Sequence, residues 1–305
     1  MVKGQTIDIM SAPDDHEYFT HKGILFNSKV NVKSLEDIET LAVKEDDVFV
    51  ATYTRSGTTW TEEILSLIYN GGDVEEVKST PIYTRIPYLE YKYFPEGQTE
   101  YERFLELPSP RLGKTHVPYN MLPRQLQEGR GKLICVARNP KDVAVSNFYF
   151  NGMNRSFKTP VSWDSFLSDF MTGNVPLGSV FDHVLGYWAH RSNPGMLFIK
   201  YEDLQKDLHG TVKKLADFVG HQLPPGTIDK IVDHCSFKSM SENPMTNYSK
   251  HPEQRCRFDT SNSEFIRKGV VGDWKNHFTD KQNEAFDKML EDKLSGTGLE
   301  YDFGI

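Results

Sequence analysis

Cysteine is scarce in this chain: Cys135, Cys235 and Cys256 are the three among 305 residues. Three scattered thiols make neither a disulfide framework nor a zinc site, and they suit a reducing compartment. Long apolar runs are missing too. No stretch approaches the roughly 20 residues of a membrane span. The opening MVKGQTIDIMSAPDDHEYF has acids where a secretory leader needs an apolar core. A cytoplasmic protein with no membrane partner is expected. Positive charge is in deficit, with 35 Lys and Arg against 43 Asp and Glu for a formal charge of −8. Such a molecule as a whole repels nucleic acid, so any anion site has to be a local cluster. Absent as well are HExxH, paired CxxC and an acidic cluster of the kind that holds magnesium, and no metal is expected. Internal repeats, low-complexity tracts and Gly/Ser linkers are lacking. Residues 1–305 are therefore read as a single domain, large enough to bury a real core.

What is present is an alternation of strand, loop and helix. DVFVATY at 47–53 reads as a buried strand, and Trp60, Ile64, Leu65, Leu67 and Ile68 follow at helical spacing. KLICVAR at 132–138 is a second strand, after which Asn139, Pro140 and Asp142 are a helix cap, first position and first-turn acid. MLFIKY at 196–201 is a third; its helix is expected to carry Leu204, Leu208, Val212, Leu215 and Phe218 on one stripe. A shorter strand spans 111–115, and 279–294 looks helical. The expected fold class is α/β: one domain with a mainly parallel central sheet, helices on both faces and a P-loop-like phosphate-binding loop. Ligands in that architecture bind beyond the carboxyl ends of the strands. Arg55 to Thr59, His116, Arg138 and Tyr201 then share one rim. Residues 240–264 are polar and aperiodic, which marks a functional or disordered loop.

Three groups on that rim carry chemistry. Ser56-Gly57-Thr58-Thr59 lies where a strand runs into a helix, whose free N–H groups and positive dipole end favour an anion. Gly57 lets the chain approach a ligand, the hydroxyls add donors, and Arg55 beside them distinguishes the loop from an ordinary helix cap. The Gly-Lys-Ser/Thr of a nucleotide triphosphatase loop is not there. Lys114 and His116 alternate with Thr115 at a strand end, a pairing suited to proton acceptance with charge stabilisation. Arg138 and Ser146 form the third group; with Arg267, Lys268 and the Gly269 amide they make a second phosphate site plausible. Two anion sites on one rim suggest a doubly phosphorylated ligand. Transfer of a phosphoryl group from a triphosphate recruits a divalent ion, whereas a sulfuryl group carries less charge.

Taken together the motifs resemble those of the cytosolic sulfotransferases over roughly residues 45–290. The family's Tyr-Pro-Lys-Ser-Gly-Thr-Thr-Trp matches Tyr53-Thr54-Arg55-Ser56-Gly57-Thr58-Thr59-Trp60, and its Lys-Thr-His matches Lys114-Thr115-His116. Arg138 to Asp142 through Ser146, Tyr201-Glu202-Asp203, Asn243 to Tyr248, and Arg267-Lys268-Gly269 with Gly272-Asp273-Trp274 follow in order. The resemblance implies a sulfotransferase using PAPS (3′-phosphoadenosine 5′-phosphosulfate), releasing PAP (adenosine 3′,5′-bisphosphate) and needing no metal. It implies that Arg55 to Thr59 bind the phosphosulfate and that Arg138, Ser146, Arg267, Lys268 and Gly269 bind the 3′-phosphate. Trp60 and Phe237 would sandwich the adenine, with Tyr201 at its edge. Cys235, Ser236, Lys238, Ser239, Met240, Phe265 and Ile266 would complete the donor site. His116 would be the base and Lys114 would hold the transferring group, with Arg55 also catalytic. Thr115, Phe26, Tyr88, Phe148 and Tyr149 would join them around a small alcohol, phenol, steroid or amine.

The chain departs from the family pattern in three places. Thr54-Arg55 replaces Pro-Lys, and a lysine there is expected to follow the departing oxygen more closely. Cys235 stands where many members have Thr. The dimer motif Lys275 to Glu284 implies a possible homodimer, though Asp280 there replaces an apolar residue of the family's small dimer contact. Two other functions compete: a non-catalytic PAPS or PAP binder, because of Arg55, and a magnesium-dependent kinase, which shares the strand–loop–helix site.

Overall fold

The structure is a computed structural model that describes residues 17–92 and 97–304; the N-terminal stretch searched for a leader lies outside them up to residue 16. Four strands form the central sheet, in the spatial order Leu112–Thr115, Val48–Thr52, Lys132–Ala137, Met196–Lys200. All three pairings are parallel. The strands read as continuous apolar runs because both faces are covered. Phe49, Ala51, Leu133, Cys135 and Ala137 enter one core; Val48, Val50, Ile134, Val136 and Ile199 enter the other. Period two distributes them alternately. A small antiparallel hairpin, Tyr18–His21 with Ile24–Asn27, stands apart from the sheet.

The helix Thr58–Tyr69 places Ile64, Leu65, Leu67 and Ile68 in the second core, each fully buried. Burial contributes about 1.5–3 kcal/mol for each such side chain. That fixes the helix's rotation and aims its N-terminus at the strand ends. The helix Pro140–Met153 begins as expected, with the Asn139 side chain accepting from the Asp142 N–H at 2.9 Å. Asp142 in turn accepts from the N–H groups of Gly272 (2.8 Å) and Trp274 (2.9 Å), tying the distant 267–274 segment to this helix start.

One expectation needs correction and another is narrowed. The stripe from Leu204 to Phe218 belongs to two helices, Tyr201–Lys206 and Leu208–Val219. Asp207 between them leaves the helical region, with φ −145° and ψ 80°, and its carboxylate caps the second by accepting from Gly210 N–H at 2.8 Å. The apolar period survives the break because the new helix resumes after one residue. For the polar segment after 240, read as a functional or a disordered loop, it is disorder that drops out, since Met240, Tyr248 and Phe258 line a cavity. The segment's first residues extend the helix Phe237–Glu242, and Thr246 and Asn247 are fully buried, donating to the carbonyls of Met240 (3.0 Å) and Ser241 (2.8 Å). Polar side chains pin this loop where apolar ones would pin a helix.

Candidate active site

Sheet register assembles the rim. Ala51 pairs with Thr115, so one step onward Thr52 lies beside His116; Ala137 pairs with Lys200, so Arg138 lies beside Tyr201. Both pairs touch. Thr52 meets the His116 ring, and the Arg138 guanidinium sits 4.3 Å from the centre of the Tyr201 ring. A cavity of about 320 Å³ opens over these strand ends.

At one end of the cavity lie Arg55, Arg138, Arg267 and Lys268. Arg55 holds a left-handed backbone, φ +68°, and Gly57 follows at φ +105° as the helix cap. Left-handed residues alternating with a helix start turn N–H groups toward a common point, a geometry that accepts anions. Glycine is required at 57: a Cβ there would stand 2.9 Å from the Tyr201 ring. The same holds at Gly269, where a Cβ would stand 2.2 Å from the Phe237 ring. Arg55 donates from Nε to Ser146 Oγ at 3.1 Å and from Nη2 to the Phe265 carbonyl at 2.7 Å. Burial, then the guanidinium groups of Arg138 and Arg267, push its pKa down to about 9, so it stays a cation at neutral pH. Asp273 accepts from Arg267 at 2.6 Å and from Lys268 at 2.7 Å, orienting both. The Nε atoms of Arg138 and Arg267 are buried with no hydrogen-bond partner among the described residues, as are Ser56 Oγ and Trp60 Nε1. Buried donors without acceptors are costly. An anionic ligand would supply the acceptors they lack.

His116 occupies the middle. Its Nδ1 lies 2.8 Å from the Thr52 carbonyl, which can only accept, so Nδ1 carries the proton and Nε2 keeps its lone pair. Its backbone N–H donates to Glu90 Oε1 at 2.6 Å, and its carbonyl lies 3.0 Å from His183 Nε2. Burial, then the Lys114 ammonium, push the imidazole down to about 3. The ring is neutral over the working range, as a base must be. Lys114 is buried against Glu62 at 3.0 Å with the Tyr248 hydroxyl at 3.2 Å. Burial works against its charge, but Glu62 and Tyr248 outweigh that and hold the ammonium protonated well past the usual lysine range. Tyr88 presents its ring to His116 at 4.9 Å, steeply tilted.

The family model described as "Sulfotransferase domain" matches residues 45–298. This chain is a member of that sulfotransferase family. It is 40% identical to Sulfotransferase 1E1 of Cavia porcellus over 95% of this chain and 97% of the relative. Against Sulfotransferase 1A1 of Bos taurus the identity is 42%, covering 90% and 92%. Among solved structures it superposes on retinol dehydratase in complex with androsterone and the inactive cofactor PAP, with TM-score 0.81, 31% identity and coverage of 92% and 89%. Mouse sulfotransferase SULT7A1 complexed with PAP gives TM-score 0.75, 31% identity and coverage of 92% and 94%. The protein is thus a sulfotransferase enzyme built on a single parallel sheet.

In this sulfotransferase most of the residues picked out from sequence meet in the cavity. Arg55, Gly57, Thr58, Thr59, Trp60, Arg138, Ser146, Tyr201 and Cys235 line it. So do Phe237, Met240, Phe265, Ile266, Arg267, Lys268 and Gly269, with Lys114, His116 and Tyr88. Ser56, Ser236, Lys238 and Ser239 do not. Ser236 caps its helix by accepting from Ser239 N–H at 3.4 Å, and Lys238 points to solvent. Thr115 is buried with Oγ1 accepting from Val117 N–H. Phe26, Phe148 and Tyr149 are not walls of this cavity either. Phe26 borders a smaller neighbouring void, Phe148 packs on Trp163 and Phe166, and Tyr149 lies under Arg267. Helical phase is the reason: Ser146 faces the cavity, so Phe150 and Asn154, four and eight residues on, face it too. That signal was available in the sequence. Sequence reading also missed Thr52, Glu62, Glu90 and Tyr248. Glu62 had a signal, an acid amid the apolar face of a core helix that demands a buried cation.

Proposed function

We propose that this enzyme moves a sulfuryl group from PAPS to a hydroxyl of a small acceptor, with His116 as base. The observation that carries the reading is a neutral, Nδ1-protonated histidine beside a buried lysine, one end of the same cavity being cationic with unpartnered Arg138 and Arg267 donors. The residues fit the donor. The amides of the Gly57–Thr59 turn, with Arg55, would hold the phosphosulfate; Arg138, Ser146, Arg267, Lys268 and the Gly269 amide would hold the 3′-phosphate. Trp60 and Phe237, both lining the cavity, would flank the adenine. When bound, PAPS supplies an electrophilic sulfur and a phosphate that leaves with the bond's electrons. The acceptor's proton passes to His116 Nε2, since Nδ1 is occupied by the Thr52 carbonyl. Lys114, held charged by Glu62, offsets negative charge beside the attacked sulfur. The cytoplasm is the proposed compartment. Asp280, exposed in the first turn of the helix Asp280–Leu294, favours that helix's dipole more than an apolar dimer contact.

The test is incubation of the purified protein with radiolabelled PAPS and 2-naphthol, with and without EDTA. Naphthyl sulfate and PAP should appear in equal amounts in both. Tight PAP binding with no transfer to any of a panel of phenols and alcohols would make the protein a binder. Activity lost in EDTA and restored by magnesium would sink the metal-free scheme.

A further inference from the structure

We propose that the acceptor carries, besides its reacting hydroxyl, a second small and neutral hydrogen-bond donor on a short arm, and that the Asn151 amide oxygen receives it in the void beside the main cavity. The inference rests on the sulfotransferase reading and adds a feature of the acceptor. Asn151 is 6% exposed, and its Oδ1 has no hydrogen-bond partner among the described residues. A buried acceptor without a donor is costly, so it is expected to be met when the site is filled. Neither the donor site nor the base uses it. The void has a volume of about 30 Å³, room for roughly two water-sized groups. That admits a short arm and excludes an extended chain.

The helix Pro140–Met153 sets the direction of this side chain. Ser146 and Phe150 line the main cavity; Asn147 and Asn151, one position round the helix, line the void. Ser146 bonds Arg55, and Thr54, the residue before Arg55, is a further wall of the void. The void therefore flanks the phosphate loop. Tyr88 and Tyr91 line both spaces, with ring centres 4.2 Å apart, and Tyr88 adjoins His116 at 4.9 Å. An acceptor with its reacting hydroxyl at His116 and its ring along Tyr88 would bring its far substituent to the void. Asn27, also in the wall, is already engaged: it donates to the Tyr91 hydroxyl at 3.2 Å and accepts from the Lys29 N–H at 2.9 Å. Phe26, Val30, Phe157 and Leu177 make much of the remaining wall apolar. Such walls do not offset the desolvation of an ammonium, so the arm that fits is a neutral one such as a hydroxyl.

The test uses 4-(hydroxymethyl)phenol, 4-methoxyphenol and 4-ethylphenol, whose arms have equal numbers of heavy atoms. The first arm can donate, the second can only accept, and the third does neither. Formation of the aryl sulfate from PAPS is measured for each, and binding of each to the PAP-loaded protein is measured by calorimetry. The hydroxymethyl compound should exceed both others in kcat/KM by about three- to tenfold, the scale of one neutral hydrogen bond. In Asn151→Leu, with PAP affinity as the check on folding, the preference should shift about tenfold toward the ethyl compound, through KM more than kcat. An ethyl or methoxy compound that matches or exceeds the hydroxymethyl one in the unsubstituted protein overturns the proposal, water then being the partner of Asn151. So does a preference unmoved in Asn151→Leu. In both cases the sulfotransferase reading stands. If neither these phenols nor 2-naphthol yields PAP, that reading fails, and the calorimetric order still decides whether the void receives a hydrogen-bond donor.

Discussion

Arg55→Lys separates two accounts of the phosphate loop. Sequence reasoning treats arginine as a rigid stand-in for a lysine that would follow the departing oxygen, which predicts faster chemistry in the variant. The structure predicts the reverse. Arg55 spans two acceptors, Ser146 Oγ at 3.1 Å and the Phe265 carbonyl at 2.7 Å, and so fastens the loop to the segment that presents Arg267 to Gly269. One ammonium on the same backbone keeps at most one of these bonds. The left-handed strain at φ +68° cancels, since both residues carry a Cβ. Losing one hydrogen bond to a charged group costs about 1.5–3 kcal/mol, which is roughly ten- to a hundredfold in binding. Calorimetry should show PAP weakened by about that factor in Arg55→Lys, and further in Arg55→Ala. Single-turnover rates at saturating PAPS should fall, because the 265–269 segment is no longer held in register with His116. Single turnover is needed because slow PAP release can mask the chemical step. Unchanged PAP affinity together with a faster single turnover in the lysine variant would refute the reasoning.

Three further outcomes are expected. His116→Ala should cost about 10²–10⁴-fold in kcat with PAP affinity retained; near-normal kcat would remove His116 as the base. Arg138→Gln should weaken PAP by about 1.5–3 kcal/mol more than it weakens AMP if its buried Nε, which has no partner among the described residues, donates to the 3′-phosphate as proposed; equal losses would make Arg138 structural. The third concerns pH. Burial and Lys114 disfavour the His116 imidazolium, so the neutral base persists as pH falls until about 3. The profile of kcat/KM should therefore show no acid limb due to His116 between pH 7 and 5, and a limb near 6.5 that His116 substitution removes would contradict the burial described.

The strands and the donor end were legible because their signals are local. DVFVATY is apolar on both faces, and Asn139-Pro140 caps a helix by rules that operate within four residues. Arg55 to Thr59 and Arg138 stand at strand ends, where the parallel architecture alone puts them on one rim. The break at Asp207 was illegible because the apolar stripe runs through it unshifted, while the cap that causes it is a single side chain. The pinning of the polar loop by Thr246 and Asn247 was hidden for a related reason: burial of polar residues leaves no hydrophobic period to read.

The acceptor end is different in kind. Glu62 meets Lys114 across 52 residues and Tyr248 meets it across 134, and neither spacing has a period. The donor's phosphates can be received by helix starts and strand ends, which any parallel sheet supplies in fixed places. An acceptor is selected by side chains that long connections bring in, and such connections can vary without disturbing the sheet. The boundary of what could be read from sequence therefore falls at His116. On one side of it geometry follows from topology; on the other, specificity follows from which side chains the loops happen to carry. For the same reason Arg55→Lys should alter how well the donor is held while leaving the order of preference among acceptors unchanged, and a change in both would mean the two ends are not separable.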